Sequence, residues 1–176
     1  MSIQITPNWL TVIRIVCIPA GVWSLFHSPS ALWQCIAWLI YFVLGLTDIA
    51  DGHWARKSNR TTSLGAFLDP VADKALIGSA MISLSILDRF PWWITIVILA
   101  REIGITIFRL LVIRDGVIPA SKGGKLKTVF QGFGVGFFIL PLPHILFPLR
   151  DTFMAVAIAL TIGSGIDYIV KWNKSR

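Results

Sequence analysis

The chain has 176 residues, of which 55% are hydrophobic and only 14% carry a charge. Soluble domains usually carry about a quarter charged residues. This composition and a mean hydropathy of +0.73 therefore exclude an ordinary soluble protein and a disordered chain. Lys and Arg number 16 against 9 Asp and Glu, a net charge of +7. In a soluble protein this excess would suggest a nucleic-acid partner, but in so apolar a chain it bears on membrane topology.

Six long apolar segments predict an all-α integral membrane protein with six transmembrane helices. In chain order they cover about residues 9–27, 31–56, 64–87, 92–114, 126–148 and 152–172. Turn signals separate them at Ser28-Pro29-Ser30, Ser58-Asn59, Pro91, Gly123-Gly124 and Pro148. Each segment is long enough to cross a hydrocarbon core of about 30 Å. Six such helices use nearly the whole chain, so we expect residues 1–176 to form a single transmembrane domain.

The distribution of basic residues predicts the orientation of these helices. Ten basic residues fall in the loops and the tail on one side of the predicted bundle: Arg56, Lys57, Arg60, Arg114, Lys122, Lys125, Lys127, Lys171, Lys174 and Arg176. The opposite loops hold only Arg89 and Arg150, each next to an aspartate. Because cytoplasmic loops carry the excess of Lys and Arg, we expect both termini in the cytoplasm.

Four of the nine acidic residues are concentrated in the second and third segments: Asp48, Asp51, Asp69 and Asp73. The first two are three residues apart and the last two are four apart, so each pair shares one face of a helix. Charges inside a span are costly, and neighbouring carboxylates repel one another. A bound cation removes the repulsion, and all-oxygen ligands suit Mg²⁺ or Mn²⁺. We predict a site for a pair of such ions at the cytoplasmic side of the bundle.

The residues from Asp48 to Asp73 follow the pattern D-x2-D-G-x2-A-R-x8-G-x3-D-x3-D. This pattern resembles the signature of the CDP-alcohol phosphotransferases, membrane enzymes of phospholipid synthesis, and all its fixed positions are present. The resemblance implies that the four aspartates hold divalent metals and that Asp73 is also the general base for the acceptor hydroxyl. It further implies that the CDP-linked lipid contacts Gly52, Ala55, Arg56 and Gly65.

Four further segments, 7–14, 65–74, 100–103 and 124–128, are similar to the bacterial branch of this family that uses sn-glycerol 3-phosphate as the acceptor. The resemblance implies transfer of a phosphatidyl group from CDP-diacylglycerol to that acceptor, with release of CMP. It also implies a homodimer in the bacterial cytoplasmic membrane. Because ten of the sixteen basic residues mark one side of the membrane, we expect no nucleic-acid partner. The same chemistry with another alcohol (inositol phosphate, serine or phosphatidylglycerol) is the first alternative. A divalent-cation transporter is the second, although an ion pathway needs neither the spacing to Gly65 nor the arginines.

The acceptor is a phosphate dianion, and basic residues of segments four and five are candidates to bind it: Arg101, Arg109, Lys125 and Lys127. Arg101 and Arg109 are eight residues apart, close to two helical turns. Arginine binds phosphate through two parallel hydrogen bonds, and lysine acts as a point charge. Arg101 has an alternative role as a partner of Glu102 or of a backbone carbonyl. The two lysines have the alternative role of marking the cytoplasmic loop.

A polar stripe on the first helix consists of Asn8, Thr11 and Arg14, spaced three residues apart. Asn8 and Thr11 are candidates to contact the CDP-linked lipid, and the alternative is that these residues only cap the helix or extend to its end. Among the small residues near the aspartates, Ala72 is expected to serve helix packing alone. Asp167, near the end of the last segment, is expected to form a helix-end ion pair and to take no part in the chemistry.

Overall fold

The computed structural model describes the backbone of residues 7–58, 63–112 and 122–174. Side chains are described throughout these ranges except at residues 7–10, 48–58, 63–67, 69, 109–112, 122–125, 171 and 174. Within the described ranges the chain forms six α-helices and no strands, which confirms the predicted all-α class. They are α1 (Pro7–His27), α2 (Ala31–Ser58), α3 (Ser63–Ile86), α4 (Trp92–Val112), α5 (Lys122–Ile139) and α6 (Phe147–Lys174).

Most helix ends agree with the turn signals in the sequence. The helices α1 and α2 end at His27 and Ser58, and α4 begins directly after Pro91. The backbone N–H groups at the start of a helix have no acceptor within the helix. Proline has no backbone N–H, so its position at the start of α4 leaves no such donor unpaired at that residue.

The second half of the chain departs from the prediction in three places. The fifth segment is not continuous over residues 126–148, because α5 ends at Ile139 and the prolines 141 and 143 prevent its continuation. A 3-10 helix, His144–Leu146, then leads into α6. Pro148 is therefore not a break: it lies in the first turn of α6, a position that proline tolerates. The Gly123-Gly124 pair likewise falls inside the first turn of α5.

The contacts between helices divide the chain into two compact units. Unit 1 contains α1, α2 and α3, with α1 packed against both of the others. The ring of Tyr41 lies over Gly21, where an added Cβ would be 3.1 Å from ring carbon Cε2. The Ser79 hydroxyl donates to the Leu76 carbonyl oxygen (2.9 Å), so the Tyr41 hydroxyl is the donor in its 3.3 Å hydrogen bond with Ser79. Tyr41 thus connects all three helices of this unit.

Unit 2 contains α4, α5 up to Phe138, and α6. Its buried side chains include Ile98 of α4, Val135 of α5 and Met154 of α6. Gly134 of α5 packs directly on Met154, and an added Cβ there would be 2.9 Å from the methionine Cε. At the other end of α4, the ring of Phe108 contacts α6 through edge-on aromatic pairs. Apolar side chains therefore hold the three helices of this unit together.

One stretch of the described residues, His144–Val170, is long and apolar enough to cross a membrane, with a mean hydropathy of 1.8 over its best window. Shorter apolar helices lie at Thr11–His27, Ala31–Thr47 and Leu126–Ile139. The helices themselves have 18 to 28 residues. The number of spans and their orientation therefore stay predictions.

Candidate active site

The four signature aspartates lie on two helices that pack against each other in unit 1. The helix α2 is continuous through Asp48 and Asp51, and α3 is continuous through Asp69 and Asp73. The helical backbone that the paired spacing requires is therefore present at both pairs. The side chains of Asp48, Asp51 and Asp69 lie outside the described residues.

Asp73 is the one signature aspartate whose side chain is described, and it is half-buried on α3. Its neighbour Ala72 is completely buried, and Leu76 and Ala80, one and two turns further along, are buried as well. A step of one residue turns by about 100° around a helix axis, so Asp73 lies at the edge of the packed face of α3. The prediction that Ala72 serves helix packing is confirmed by its burial.

Two members of the polar stripe on α1 are buried inside unit 1. Thr11 and Arg14 are each only 1% exposed. Thr11 is the fifth residue of α1, so it is not a cap, and Arg14 is too deeply buried to extend into solvent. The capping and extension alternatives are therefore wrong for these two residues. The side chain of Asn8 is outside the described residues.

Arg101 of α4 lies at the centre of a hydrogen-bond network in unit 2. Its Nε donates to the Thr161 carbonyl oxygen (3.2 Å), its Nη2 to the Ser164 hydroxyl (2.7 Å) and its Nη1 to Glu102 Oε1 (3.0 Å). The structure thus contains both interactions of the alternative role, a neighbouring carboxylate and a backbone carbonyl. These bonds use three of the five N–H groups of a guanidinium, and they hold its plane in one orientation.

Lys127 of α5 donates to the same carboxylate oxygen, Glu102 Oε1. Its side chain is 7% exposed, so it is not one of the solvated lysines that would merely mark a loop. Glu102 therefore brings Arg101 and Lys127 together, and the three side chains carry a net charge of +1. We call them the Arg101–Glu102–Lys127 cluster. A partly buried cluster with excess positive charge is suited to bind an anion.

The remaining candidates are placed only by their backbone. Arg109 lies on α4, two turns after Arg101, and Lys125 lies in the first turn of α5, as their predicted roles require. The other CDP-lipid candidates lie on α2 and α3: Gly52, Ala55, Arg56 and Gly65. Their side-chain contacts, and those of Arg109 and Lys125, lie outside the described residues.

The chain also matches a known protein family over most of its length. The family model described as CDP-alcohol phosphatidyltransferase matches residues 4–163 of the chain, which include helices of both units. The chain belongs to the CDP-alcohol phosphatidyltransferase family. The resemblance inferred from the aspartate signature is thereby confirmed.

Several curated relatives of this family member carry one activity in their names. The chain is 48% identical over 168 residues to a probable phosphatidylglycerophosphate synthase of Mycobacterium tuberculosis, covering 93% of the chain and 79% of the relative. It is 39% identical to the CDP-diacylglycerol–glycerol-3-phosphate 3-phosphatidyltransferase of Bacillus subtilis, covering 94% of the chain and 93% of the relative. It is 36% identical to the enzyme of the same name from Haemophilus influenzae, covering 93% of the chain and 90% of the relative.

The donor set of this CDP-alcohol phosphatidyltransferase fits a hard divalent cation. The signature provides four carboxylates on two packed helices, and carboxylate oxygens are the ligands that Mg²⁺ and Mn²⁺ prefer. Among the side chains that the structure describes, which exclude three of the four aspartates, no group of three acidic, histidine or cysteine residues comes together.

Two residues that hold Arg101 in place could not be predicted from the sequence. Thr161 and Ser164 on α6 complete the hydrogen bonds of Arg101, although they are 60 and 63 residues away in the chain. The only signal in the sequence is their polarity at a three-residue spacing within an otherwise apolar helix. That spacing places them on one side of α6, but it does not identify their partner.

Proposed function

We propose that the chain transfers the phosphatidyl group of CDP-diacylglycerol to sn-glycerol 3-phosphate, producing phosphatidylglycerophosphate and CMP. The observation that carries the proposal is the complete signature on two packed, continuous helices, α2 and α3. The names of the relatives support the choice of substrates. The cationic cluster in unit 2 supports an acceptor that carries a phosphate.

The reaction needs a base at the acceptor and charge neutralisation at the diphosphate. In our proposal the Asp73 carboxylate takes the proton of the acceptor hydroxyl as its oxygen forms a bond to the β-phosphorus. The bond from that phosphorus to the bridging oxygen breaks, and CMP leaves with the bridging oxygen. The half-buried position of Asp73 at the edge of the packed face of α3 allows both contact with substrate and a fixed orientation.

In this proposal Asp48, Asp51, Asp69 and Asp73 are the ligands of the divalent metals. When bound, these metals supply positive charge to a diphosphate and stabilise negative charge on its oxygens. The residues of the chain contribute binding and orientation: Arg56 is proposed to balance the charge of the leaving CMP. Gly52, Ala55 and Gly65 leave room for the nucleotide to approach the helices. Asn8 and Thr11 are proposed as further contacts of the CDP-linked lipid.

The acceptor phosphate is proposed to bind Arg101, Arg109, Lys125 and Lys127. For Arg101 the structural and the binding roles are compatible, because three of its N–H groups hold it in place and two remain for phosphate oxygens. Lys127 contributes the charge that Glu102 does not fully balance. Because the guanidinium is already fixed by Thr161 and Ser164, little conformational entropy is lost when the phosphate binds.

Replacing Lys127 by glutamine tests the acceptor site. We expect the KM for glycerol 3-phosphate to rise about 10-fold or more, because a hydrogen bond to a charged group contributes about 1.5–3 kcal/mol. The KM for CDP-diacylglycerol should stay within about twofold of the original value, since the signature residues are unchanged. Steady-state kinetics with each substrate varied in turn measures both constants. The variant Lys174→Gln, which removes a charge from the end of α6, is the matched control. Equal KM values for the acceptor in both variants would contradict the assignment.

We also propose that all six helices cross the bacterial cytoplasmic membrane with both termini inside, and that the enzyme is a homodimer. The length and hydropathy of the stretch His144–Val170 support the membrane location, and so do the apolar helices Thr11–His27 and Ala31–Thr47. The ten basic residues on one predicted side support the orientation. The homodimer is supported only by the resemblance to the family.

An acceptor panel tests the proposed function. The purified chain is supplied with CDP-diacylglycerol, Mg²⁺ or Mn²⁺ and one alcohol at a time, and CMP release is measured. We expect glycerol 3-phosphate to give a rate at least about 100-fold above that with serine, inositol phosphate or phosphatidylglycerol. A faster rate with another alcohol would keep the chemistry and overturn the acceptor. Metal flux into liposomes without any CMP release would support the transporter alternative.

A further inference from the structure

Unit 2 contains a cavity that has no role in the proposed transfer reaction. It has a volume of about 610 Å³ and opens between the start of α4 and the start of α6. Its polar lining consists of Asp88, Arg89, Arg150 and Asp151, and its apolar wall includes Ala155 and Ile158. By the predicted topology these charged residues belong to the loops opposite the signature aspartates. We call this cavity the Arg89–Arg150 pocket.

Two arginines converge on one residue in this pocket. The Nη2 of Arg89 donates to the carbonyl oxygen of Phe138 (3.1 Å), and the guanidinium of Arg150 lies 4.2 Å from the centre of the Phe138 ring. The same guanidinium is also 4.2 Å from the ring of Phe147, so two aromatic faces hold it. Burial, and then the positive charge of Arg150, lower the pKa of Arg89. An anion between the two guanidinium groups would relieve their repulsion.

Arg150 retains donors that face this pocket. Its side chain is 20% exposed, and its Nε donates to Asp151 Oδ1 at 2.9 Å. Among the described residues, this is the one hydrogen bond that Arg150 makes. The four N–H groups of Nη1 and Nη2 are therefore available to a ligand that enters the pocket. The carboxylate of Asp151 is 59% exposed, so water screens most of its charge.

Two helix N-termini point positive charge toward the same pocket. Arg150 is the fourth residue of α6, where the helix dipole disfavours a cation and favours an anion. The first turn of α4 also lines the pocket, and its first backbone hydrogen bonds come from the N–H groups of Ile94 and Thr95 to Pro91. The N–H groups of Trp92 and Trp93 precede them and have no acceptor within the helix. Both features favour a phosphate over a cation or a neutral group.

The apolar wall indicates what carries the phosphate. Asp151, Ala155 and Ile158 are spaced four and three residues apart, so they follow one another along one face of α6. Ala155 is exposed and Ile158 is half-buried, so this face is accessible to an apolar ligand. This face belongs to the stretch that is long and apolar enough to span a membrane. Trp92 and Trp93 at the other wall are 47% and 58% exposed, as is usual for aromatic rings at the level of lipid headgroups. A free phosphate would make no use of this wall.

We propose that the Arg89–Arg150 pocket binds the phosphodiester group of a membrane phospholipid, with the acyl chains along the α6 face of Ala155 and Ile158. The phosphate accepts hydrogen bonds from Arg150 Nη1 and Nη2, and its charge balances the two guanidinium groups. The glycerol and acyl chains contact the apolar wall. This site is separate from the proposed transfer reaction, since none of its residues has a role there.

Lipid binding to two opposite variants tests the proposal. The full-length protein is purified in detergent, depleted of lipid, and titrated with phosphatidylglycerol while native mass spectrometry counts bound lipid. We expect Arg150→Gln to weaken the tightest binding event about 10-fold or more. Asp151→Asn, at an exposed position, should strengthen it, because the change removes a competing negative charge. The control Lys174→Gln, at the other end of α6, should change it less than twofold.

Two further arms identify the ligand group. Titration with phosphatidylethanolamine should show the same loss in Arg150→Gln, because both lipids share the phosphodiester. Soluble glycerol 3-phosphate at millimolar concentration should not displace the lipid. CMP release by each variant, measured in parallel, should stay near the original rate, which separates this site from the proposed function. Unchanged lipid binding in both Arg150→Gln and Asp151→Asn, or displacement by glycerol 3-phosphate, would overturn the proposal.

Discussion

Replacing Asp73 by asparagine should reduce the rate of CMP release about 1,000-fold or more. Asparagine has nearly the same shape but cannot accept the proton of the acceptor hydroxyl, and general bases contribute about 10²- to 10⁴-fold to rates. Asp73 is also a proposed metal ligand, which adds to the loss. CDP-diacylglycerol binding should be largely retained, because the other signature residues remain. Single-turnover CMP release and equilibrium binding of the CDP-lipid measure the two effects separately.

Asp167→Asn is the matched control for this experiment. Asp167 lies on α6 and has no assigned role in the chemistry, so the same change of acid to amide there should leave turnover within about threefold. Normal turnover in the Asp73 variant would refute its assignment as the base. Loss of both turnover and CDP-lipid binding would instead assign Asp73 to substrate binding alone.

Removal of divalent metal should abolish both turnover and binding of the CDP-lipid. Without a cation, the carboxylates of Asp48, Asp51, Asp69 and Asp73 repel one another and also repel the diphosphate. We expect chelation by EDTA to lower CMP release about 1,000-fold or more. Mg²⁺ or Mn²⁺ added in excess of the chelator should restore it, and K⁺ at the same ionic strength should not. Chelation should thus abolish both turnover and CDP-lipid binding, whereas Asp73→Asn should abolish turnover and leave CDP-lipid binding largely intact.

Full activity in the presence of chelator, with the metal content of the sample verified as negligible, would contradict the assigned role of the four aspartates.

A single variant provides the corresponding test within the chain. Asp69→Asn removes one proposed ligand but not the proposed base, so the metal concentration that gives half-maximal activity should rise at least about 10-fold. An unchanged metal dependence in that variant would place Asp69 outside the metal site.

The helices of the first half could be predicted closely because their limits depend on local chemistry. Ser28-Pro29-Ser30 and Pro91 are local turn signals, so the end of α1 and the start of α4 could be predicted from the sequence alone. The break after α5 is not predicted from hydropathy, because the apolar character of residues 126–148 continues through the prolines at 141 and 143. Hydropathy indicates which residues are buried in lipid or protein. It does not indicate that a proline lacks the backbone N–H that a helix needs.

The candidate site divides in the same way. The aspartate pattern is local, so its placement on helix faces follows once α2 and α3 are helical. The shared contact of Arg101 and Lys127 with Glu102 is not local, because it depends on how α5 packs beside α4. In the sequence, Arg89 and Arg150 are far apart and each lies next to an aspartate, so nothing there indicates that the two arginines come together. Their meeting at Phe138 requires the tertiary structure of unit 2.

The most direct test of the central claim is the identity and amount of the lipid product. The purified protein is incubated with CDP-diacylglycerol, sn-glycerol 3-phosphate and Mg²⁺ or Mn²⁺, and the lipid and nucleotide products are quantified by mass spectrometry. We predict phosphatidylglycerophosphate and CMP in equal amounts, and neither product when glycerol 3-phosphate is omitted. CMP that accumulates without the acceptor, or a lipid product that lacks the second phosphate, would contradict transfer to glycerol 3-phosphate.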